Sequence, residues 1–335
     1  MRKFLIRGLV FSIPLLVVFV TVYIIDPYYL YHKDRQFSQK LYDIDYSFDQ
    51  GRRYKIITYL NNPEPYIILG ASEINLIHER NIPEEGWHSL SFGGAPLQES
   101  VDLFWRITES HQIQEVIIAP EFIKFYNDCL GEFYSWNSSQ SSKAYELYEN
   151  KLDYLVDKNV IKSTFNYLFS GLGISNDKNK PKMTKDEFWK HQLSYASEQF
   201  SQEVSNVSFE QSIMKLKTIA SYCLEHDIDV TVVIPIQHAD LIKIEYGAAS
   251  YPVYRKYLAS LIDTFGKVYF FDYPNDITED SNHFTDPFHF SDETVYINAL
   301  WRNDFSNCIV LDDYAGLNHI DSIREMYYNT PYSYE

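Results

Sequence analysis

Five short strand-like runs, separated by longer stretches of helical periodicity, constrain this chain more than any other feature. They fall at 66–69 (YIIL), 88–92 (HSLSF), 115–119 (EVIIA), 230–236 (VTVVIPI) and 267–271 (KVYFF). Runs this short and rich in β-branched or aromatic residues predict buried strands, whereas 97–110, 209–226 and 254–265 space their apolar residues as amphipathic helices do. Alternation of the two predicts an α/β class with a mostly parallel five-stranded sheet covered on both faces. In such a sheet ligands bind beyond the carboxyl ends of the strands.

Two regions depart from that rhythm. Residues 127–206 are rich in Tyr, Ser, Asn and Lys and predict a largely helical insertion, or cap, between the third and fourth strands. The cluster Asn61, Asn62, Pro63 and Pro65 marks a break after 26–63, which has the character of a juxtamembrane stalk with one or two helices. The main domain is therefore expected over 64–310, and 311–335 as a Tyr-rich, polar surface tail.

The N-terminus bears on the compartment. Residues 8–25 carry no charge, and about eighteen helical residues reach roughly 27 Å, close to the hydrocarbon thickness of a bilayer. Arg2, Lys3 and Arg7 precede this segment and Asp26 follows it. A transmembrane anchor over 1–25, with a cytoplasmic N-terminus and the remainder outside, is the expectation. Tyr28, Tyr29 and Tyr31 would form an aromatic belt at the outer interface. The rival is a cleaved signal peptide, which normally has a shorter apolar core and a small-x-small site that is not evident before Asp26.

A net charge of −17 disfavours a nucleic-acid partner, which needs clustered Lys and Arg. The 29 tyrosines suit sugar stacking, yet core filling is the commoner use of aromatic side chains. Cys129, Cys223 and Cys308 are widely spaced and odd in number, so no disulfide framework or zinc CxxC pair is written here. They are expected as mostly buried thiols, with one disulfide left open.

Chemistry concentrates at three strand ends. The first strand runs into Gly70-Ala71-Ser72-Glu73, which places a hydroxyl just past a carboxyl end, where a nucleophile needs to stand; a helix N-cap serine is the plainer alternative. After the second strand, Ser91-Phe92-Gly93-Gly94-Ala95 offers backbone N–H groups to an oxyanion, or else a simple glycine turn. Near the C-terminus, Asp286-Pro287-Phe288-His289 lets a carboxylate turn back onto the imidazole Nδ1 and fix its tautomer, so that Nε2 can face a serine. His283, Asp286 and His289 also suggest a metal, but no fourth donor is apparent and Pro287 precludes a regular helical face. No phosphate-binding glycine loop is present, and no cofactor is expected.

In that order, these segments resemble the SGNH (GDSL-like) hydrolase superfamily over 65–126 and 207–305. The resemblance implies a three-layer, flavodoxin-like fold and a catalytic triad of Ser72, Asp286 and His289. It also implies an oxyanion hole from the N–H groups of Ser72 and of Gly93 or Gly94. The family's third block, usually Gly-x-Asn-Asp, is here Ala119-Pro120-Glu121-Phe122, so the asparagine donor is missing and Asn127 or an insertion residue would have to replace it. Glu73, Glu121 and Asn127 are the substrate-contacting candidates. With its N-terminal apolar segment, the chain looks most like the membrane-tethered, DltD-like branch that serves bacterial envelope and exopolysaccharide assembly. The likeness implies an extracytoplasmic serine esterase or O-acyltransferase acting on acyl, above all acetyl, esters of glycans. A membrane-bound acyltransferase would fit as the acyl supplier. An inactive glycan- or partner-binding protein of the same fold is the alternative.

Overall fold

The computed structural model describes residues 2–32, 48–132, 134–171, 183–247 and 249–328. The chain divides into two compact units: Met1–Pro63 with Ser135–Lys180, and Glu64–Tyr134 with Pro181–Glu335.

The second unit is built on a sheet. Strands β1 (Tyr66–Gly70), β2 (Trp87–Ser89), β3 (Glu115–Ala119), β4 (Asp229–Ile234) and β5 (Val268–Phe270) pair in the order β2-β1-β3-β4-β5, all parallel. Ile67, Ile68 and Leu69 are all fully buried, as are Val116 with Ile117 and Val232 with Val233 to within one per cent, so both faces of the central strands are covered. That is why these strands read as continuous apolar runs and not as alternating ones. On one face Ile68, Ile117 and Val233 join a cluster with Tyr296 and Ala299. The strands and helices expected from sequence lie close to their predicted places, the helices being α3 (Leu97–Thr108), α9 (Asn206–Glu225) and α11 (Tyr251–Phe265); α12 (Thr294–Arg302) follows the segment that carries Asp286 and His289.

The sheet has six strands, not five. β8 (Ile309–Leu311) pairs antiparallel with β5, Val268 opposite Leu311. Three residues ending against Asp312 and Asp313 give no period to read; only the open edge of β5 makes them a strand. β6 (Phe284–Asp286) and β7 (His289–Phe290) form a separate hairpin. The expected surface tail contains α13 (Tyr314–Tyr328), which buries Leu317 and Ile320 and receives the Tyr251 hydroxyl on Asp321 at 2.6 Å. Residues 329–335 of that tail lie outside the described residues. The unit is completed by α4 (Phe122–Cys129), α8 (Lys185–Phe200) and α10 (Ala239–Glu245). All three cysteines are free and buried.

The first unit is helical: α1 (Arg2–Ile25), α2 (Phe48–Asn61), α5 (Gln140–Glu149), α6 (Lys151–Val156) and α7 (Lys158–Gly171). The segment expected as a stalk is thus part of a packed unit, and the predicted insertion is shared between the units. Part of each expectation, at 33–47 and 172–182, lies outside the described residues. Asp26 ends α1 at a positive φ of 43° and is 1% exposed. Its carboxylate accepts the N–H groups of Leu30, Tyr31 and His32 at 2.8–3.0 Å and the Tyr154 hydroxyl at 2.8 Å. Arg53 is buried too, donating to Asp157 at 2.8 Å and Gln140 at 2.9 Å. The bonds of Asp26 to Tyr154 and of Arg53 to Asp157 and Gln140 join segments more than eighty residues apart in sequence, which a stalk would not need.

Two N-terminal expectations need correction. Tyr28 and Tyr29 are 0% and 6% exposed, with the Tyr28 hydroxyl 2.9 Å from Ser163, so they are core residues of the first unit and not an interfacial belt. Among the described residues no helix is long and apolar enough to cross a membrane, which does not fit the transmembrane helix expected over 8–25. The side chains of 1–11, which include the first turn of that span, lie outside the described residues.

Candidate active site

Ser72 follows β1 through a turn that only glycine permits at position 70. A Cβ on Gly70 would meet Ile74 Cγ2 at 2.6 Å and Ala119 Cβ at 3.1 Å, both in the neighbouring core. The chain leaving β2 stays against β1, with Leu90 N–H on Ile68 O at 2.8 Å and Phe92 N–H on Gly70 O at 3.2 Å. This carries Gly93 and Gly94 past the same strand end, Gly94 at a φ of 64° that favours glycine. Among the described residues, the N–H groups of Ser72, Gly93 and Gly94 have no acceptor. Uncommitted backbone donors at a strand end are what an oxyanion requires.

Asp286 and His289 face each other across the β6–β7 hairpin. Pro287 and Phe288 form its turn, and Phe288 N–H donates to Asp286 Oδ1 at 3.0 Å, leaving Oδ2 for His289 Nδ1 at 2.6 Å. Asp286 is buried and His289 is about one-third exposed at its side chain. With Nδ1 carrying the proton toward Asp286, Nε2 is the basic nitrogen. Burial works against the imidazolium, but the Asp286 hydrogen bond and the charges of Glu73 and Asp286 outweigh it and raise the His289 pKa.

The Ser72 hydroxyl donates to Glu73 Oε2 at 2.9 Å. No hydrogen bond joins Ser72 to His289 in this conformation. Glu73 is 2% exposed and lies beside Glu121, at 1%, whose Oε1 accepts Ala71 N–H at 3.2 Å. Burial first, then the charge of Glu73 and the hydrogen bond between the two carboxyls, raises Glu121 well above the ordinary range. Lys124, three residues into α4, balances this pair. Burial opposes its charge, yet Glu73, Glu121, Tyr195 and Glu132 together raise its pKa. Ser72 thus sits on a charged floor of two acids and one ammonium.

Of the three substrate-contacting candidates, Glu73 and Glu121 belong to that floor, and Glu121 Oε2 is enclosed. Asn127 is 6% exposed, gives its Nδ2 to the Tyr195 hydroxyl at 3.0 Å, and keeps Oδ1 enclosed without a partner. One of its two N–H groups is thereby engaged. Among the described residues no group of three or more His, Cys, Asp or Glu could hold a metal ion. His283 has Asp280 as its neighbour, Nε2 to Oδ2 being 3.8 Å.

Sequence reasoning passed over Lys124. A single lysine within the apolar α4 sequence FIKFYNDC was a usable signal for it. No protein-family model matches the chain, and neither characterised proteins nor solved structures give a match to it. The SGNH likeness rests on the segments themselves and their order along the sheet.

Proposed function

We propose that this protein is a serine esterase or O-acyltransferase of the SGNH type, with Ser72 as nucleophile, His289 as base and Asp286 as its orienting acid. The observation that carries the reading is the 2.6 Å Asp286–His289 pair on a hairpin of the unit in which Ser72 stands at a strand's carboxyl end. His289 Nε2 takes the Ser72 proton as Oγ bonds to an ester carbonyl carbon and the carbonyl π pair moves to oxygen. The N–H groups of Ser72 and of Gly93 or Gly94 stabilise that oxygen. Collapse breaks the ester C–O bond, His289 returns the proton to the departing alcohol, and the acyl group stays on Ser72. Water or a sugar hydroxyl then attacks in the same way, and the acceptor decides between esterase and transferase.

Family likeness supports acyl, above all acetyl, esters of bacterial envelope or exopolysaccharide glycans as substrates, and a membrane-bound acyltransferase as acyl supplier. We place the protein at the cytoplasmic membrane in an N-in, C-out orientation. This location rests on the sequence, in the basic residues before the apolar segment, and on Ile13, Leu15, Leu16, Val17 and Ile24, all more than half exposed; the described part of that helix is not by itself long and apolar enough to cross a membrane. Protease accessibility of the C-terminal region in spheroplasts, against none in intact cells, is the expected outcome.

One observation favours a second reading. Because Ser72 gives its hydroxyl to Glu73, the same fold is compatible with a non-catalytic protein that binds glycan or an assembly partner. A fluorophosphonate probe separates the two when applied to the full chain and to Ser72→Ala and His289→Ala. Labelling of wild type alone supports the enzyme. An unlabelled but folded wild-type chain supports the binding protein.

A further inference from the structure

We infer that the amide of Gln237 supplies the side-chain donor of the oxyanion hole, in place of the asparagine missing after β3. The inference rests on the serine-enzyme reading above. Ala119-Pro120-Glu121-Phe122 offers no such donor, and Asn127, 6% exposed, already gives one of its two N–H groups to Tyr195. The next parallel strand along the sheet is β4, and its continuation Pro235-Ile236-Gln237 emerges at the same edge.

Gln237 is held from both sides. Ile236 N–H donates to the Tyr296 hydroxyl at 2.8 Å, and His238 N–H donates to Pro287 O at 2.9 Å. Pro287 lies between Asp286 and His289, so the backbone carrying Gln237 is tied to the turn that carries the catalytic pair. Ile236 also shares a core cluster with Ile74, two residues past Ser72. The backbone on either side of Gln237 is thus tied to the Asp286–His289 turn and packed in the core that holds Ile74.

Its side chain is unspent. Gln237 is 2% exposed, its Oε1 is enclosed without a donor, and its amide nitrogen makes no hydrogen bond among the described residues. A buried amide is normally paired. Here a ligand acceptor atom beside Ser72 would provide the partner. A neutral amide also suits a site that already holds two acids and an ammonium, because it stabilises developing negative charge without adding a formal one.

The test compares wild type with Gln237→Met, which keeps the length and removes the donor, and with Gln237→Ala. The readouts are fluorophosphonate labelling rate, kcat and KM for p-nitrophenyl acetate, and urea midpoint. The expected result is a roughly 10²-fold loss in labelling rate and kcat for both variants, with KM and the midpoint little changed. A kcat within twofold of wild type in Gln237→Met overturns the inference and leaves the Ser72 reading intact, as does a lowered midpoint with full activity. A folded wild type that is not labelled at Ser72 removes both together.

Discussion

At the scale of single residues, the proposed chemistry turns on how the protein sets the charge on His289. A base is useful only when neutral, and the His289 pKa is raised by Asp286 and Glu73 against the opposing effect of burial. Labelling of Ser72 should therefore rise with pH through a midpoint above the ordinary imidazole value of about 6.5. Asp286→Asn removes the hydrogen bond and the charge, which leaves burial to dominate. Its midpoint should move down while the plateau falls by roughly 10³- to 10⁴-fold, because the wrong tautomer is then favoured. Glu73→Gln should move the midpoint in the same direction by less. A pH–rate profile of each variant checks both statements, and an unmoved midpoint in Asp286→Asn would refute the assignment of roles.

At the scale of elements, the site depends on the close approach of β1 and β3. Gly70 pairs with Ala119 at the end of the ladder, and no side chain fits between them and Ile74. Gly70→Ala forces that contact apart. Overpacking a buried site costs about 1–3 kcal/mol, and the strain falls two residues from Ser72. The expected result is a lower urea midpoint together with a larger loss of labelling than stability alone explains. The same closeness accounts for the acid floor, since Ala71 N–H on Glu121 ties the turn after β1 to the start of α4.

At the scale of the whole molecule, buried carboxyls tie stability to pH. Besides Glu121, the second unit encloses Glu245 and Asp272, each 0% exposed, with Asp272 accepting the Tyr254 hydroxyl. Both Glu245 oxygens and Asp272 Oδ1 lack a donor unless one of the acids keeps its proton. Burial raises both acids, Asp272 to about 6, and the charge of Asp272 raises Glu245 further. Acids whose folded pKa lies above the unfolded value bind more protons when folded. Their contribution is fully present below the unfolded carboxylate pKa of about 4 and is lost as pH rises through the folded values. Wild-type stability should accordingly fall from pH 5 to above pH 6, and Glu245→Gln, which stays neutral and can donate to Asp272, should flatten that fall. Urea midpoints across this range decide it; identical slopes for the two proteins would count against a shared proton.

The sequence by itself determined the α/β class, the places of β1 to β5, and the candidacy of Ser72 with Asp286 and His289. These are local facts: a short apolar run declares a buried strand, and a carboxylate three residues from an imidazole can reach it across one turn. Tertiary structure alone decided the rest. β8 became a strand because β5 had an open edge, and the described residues of 26–63 joined a helical unit because Asp26 and Arg53 find Tyr154 and Asp157 more than a hundred residues away. Lys124 lies beside Glu73 and Glu121 for the same reason, and the place proposed for Gln237 follows from it too. Their roles follow from neighbours on other strands, and the pattern along a chain holds no record of what lies across a sheet.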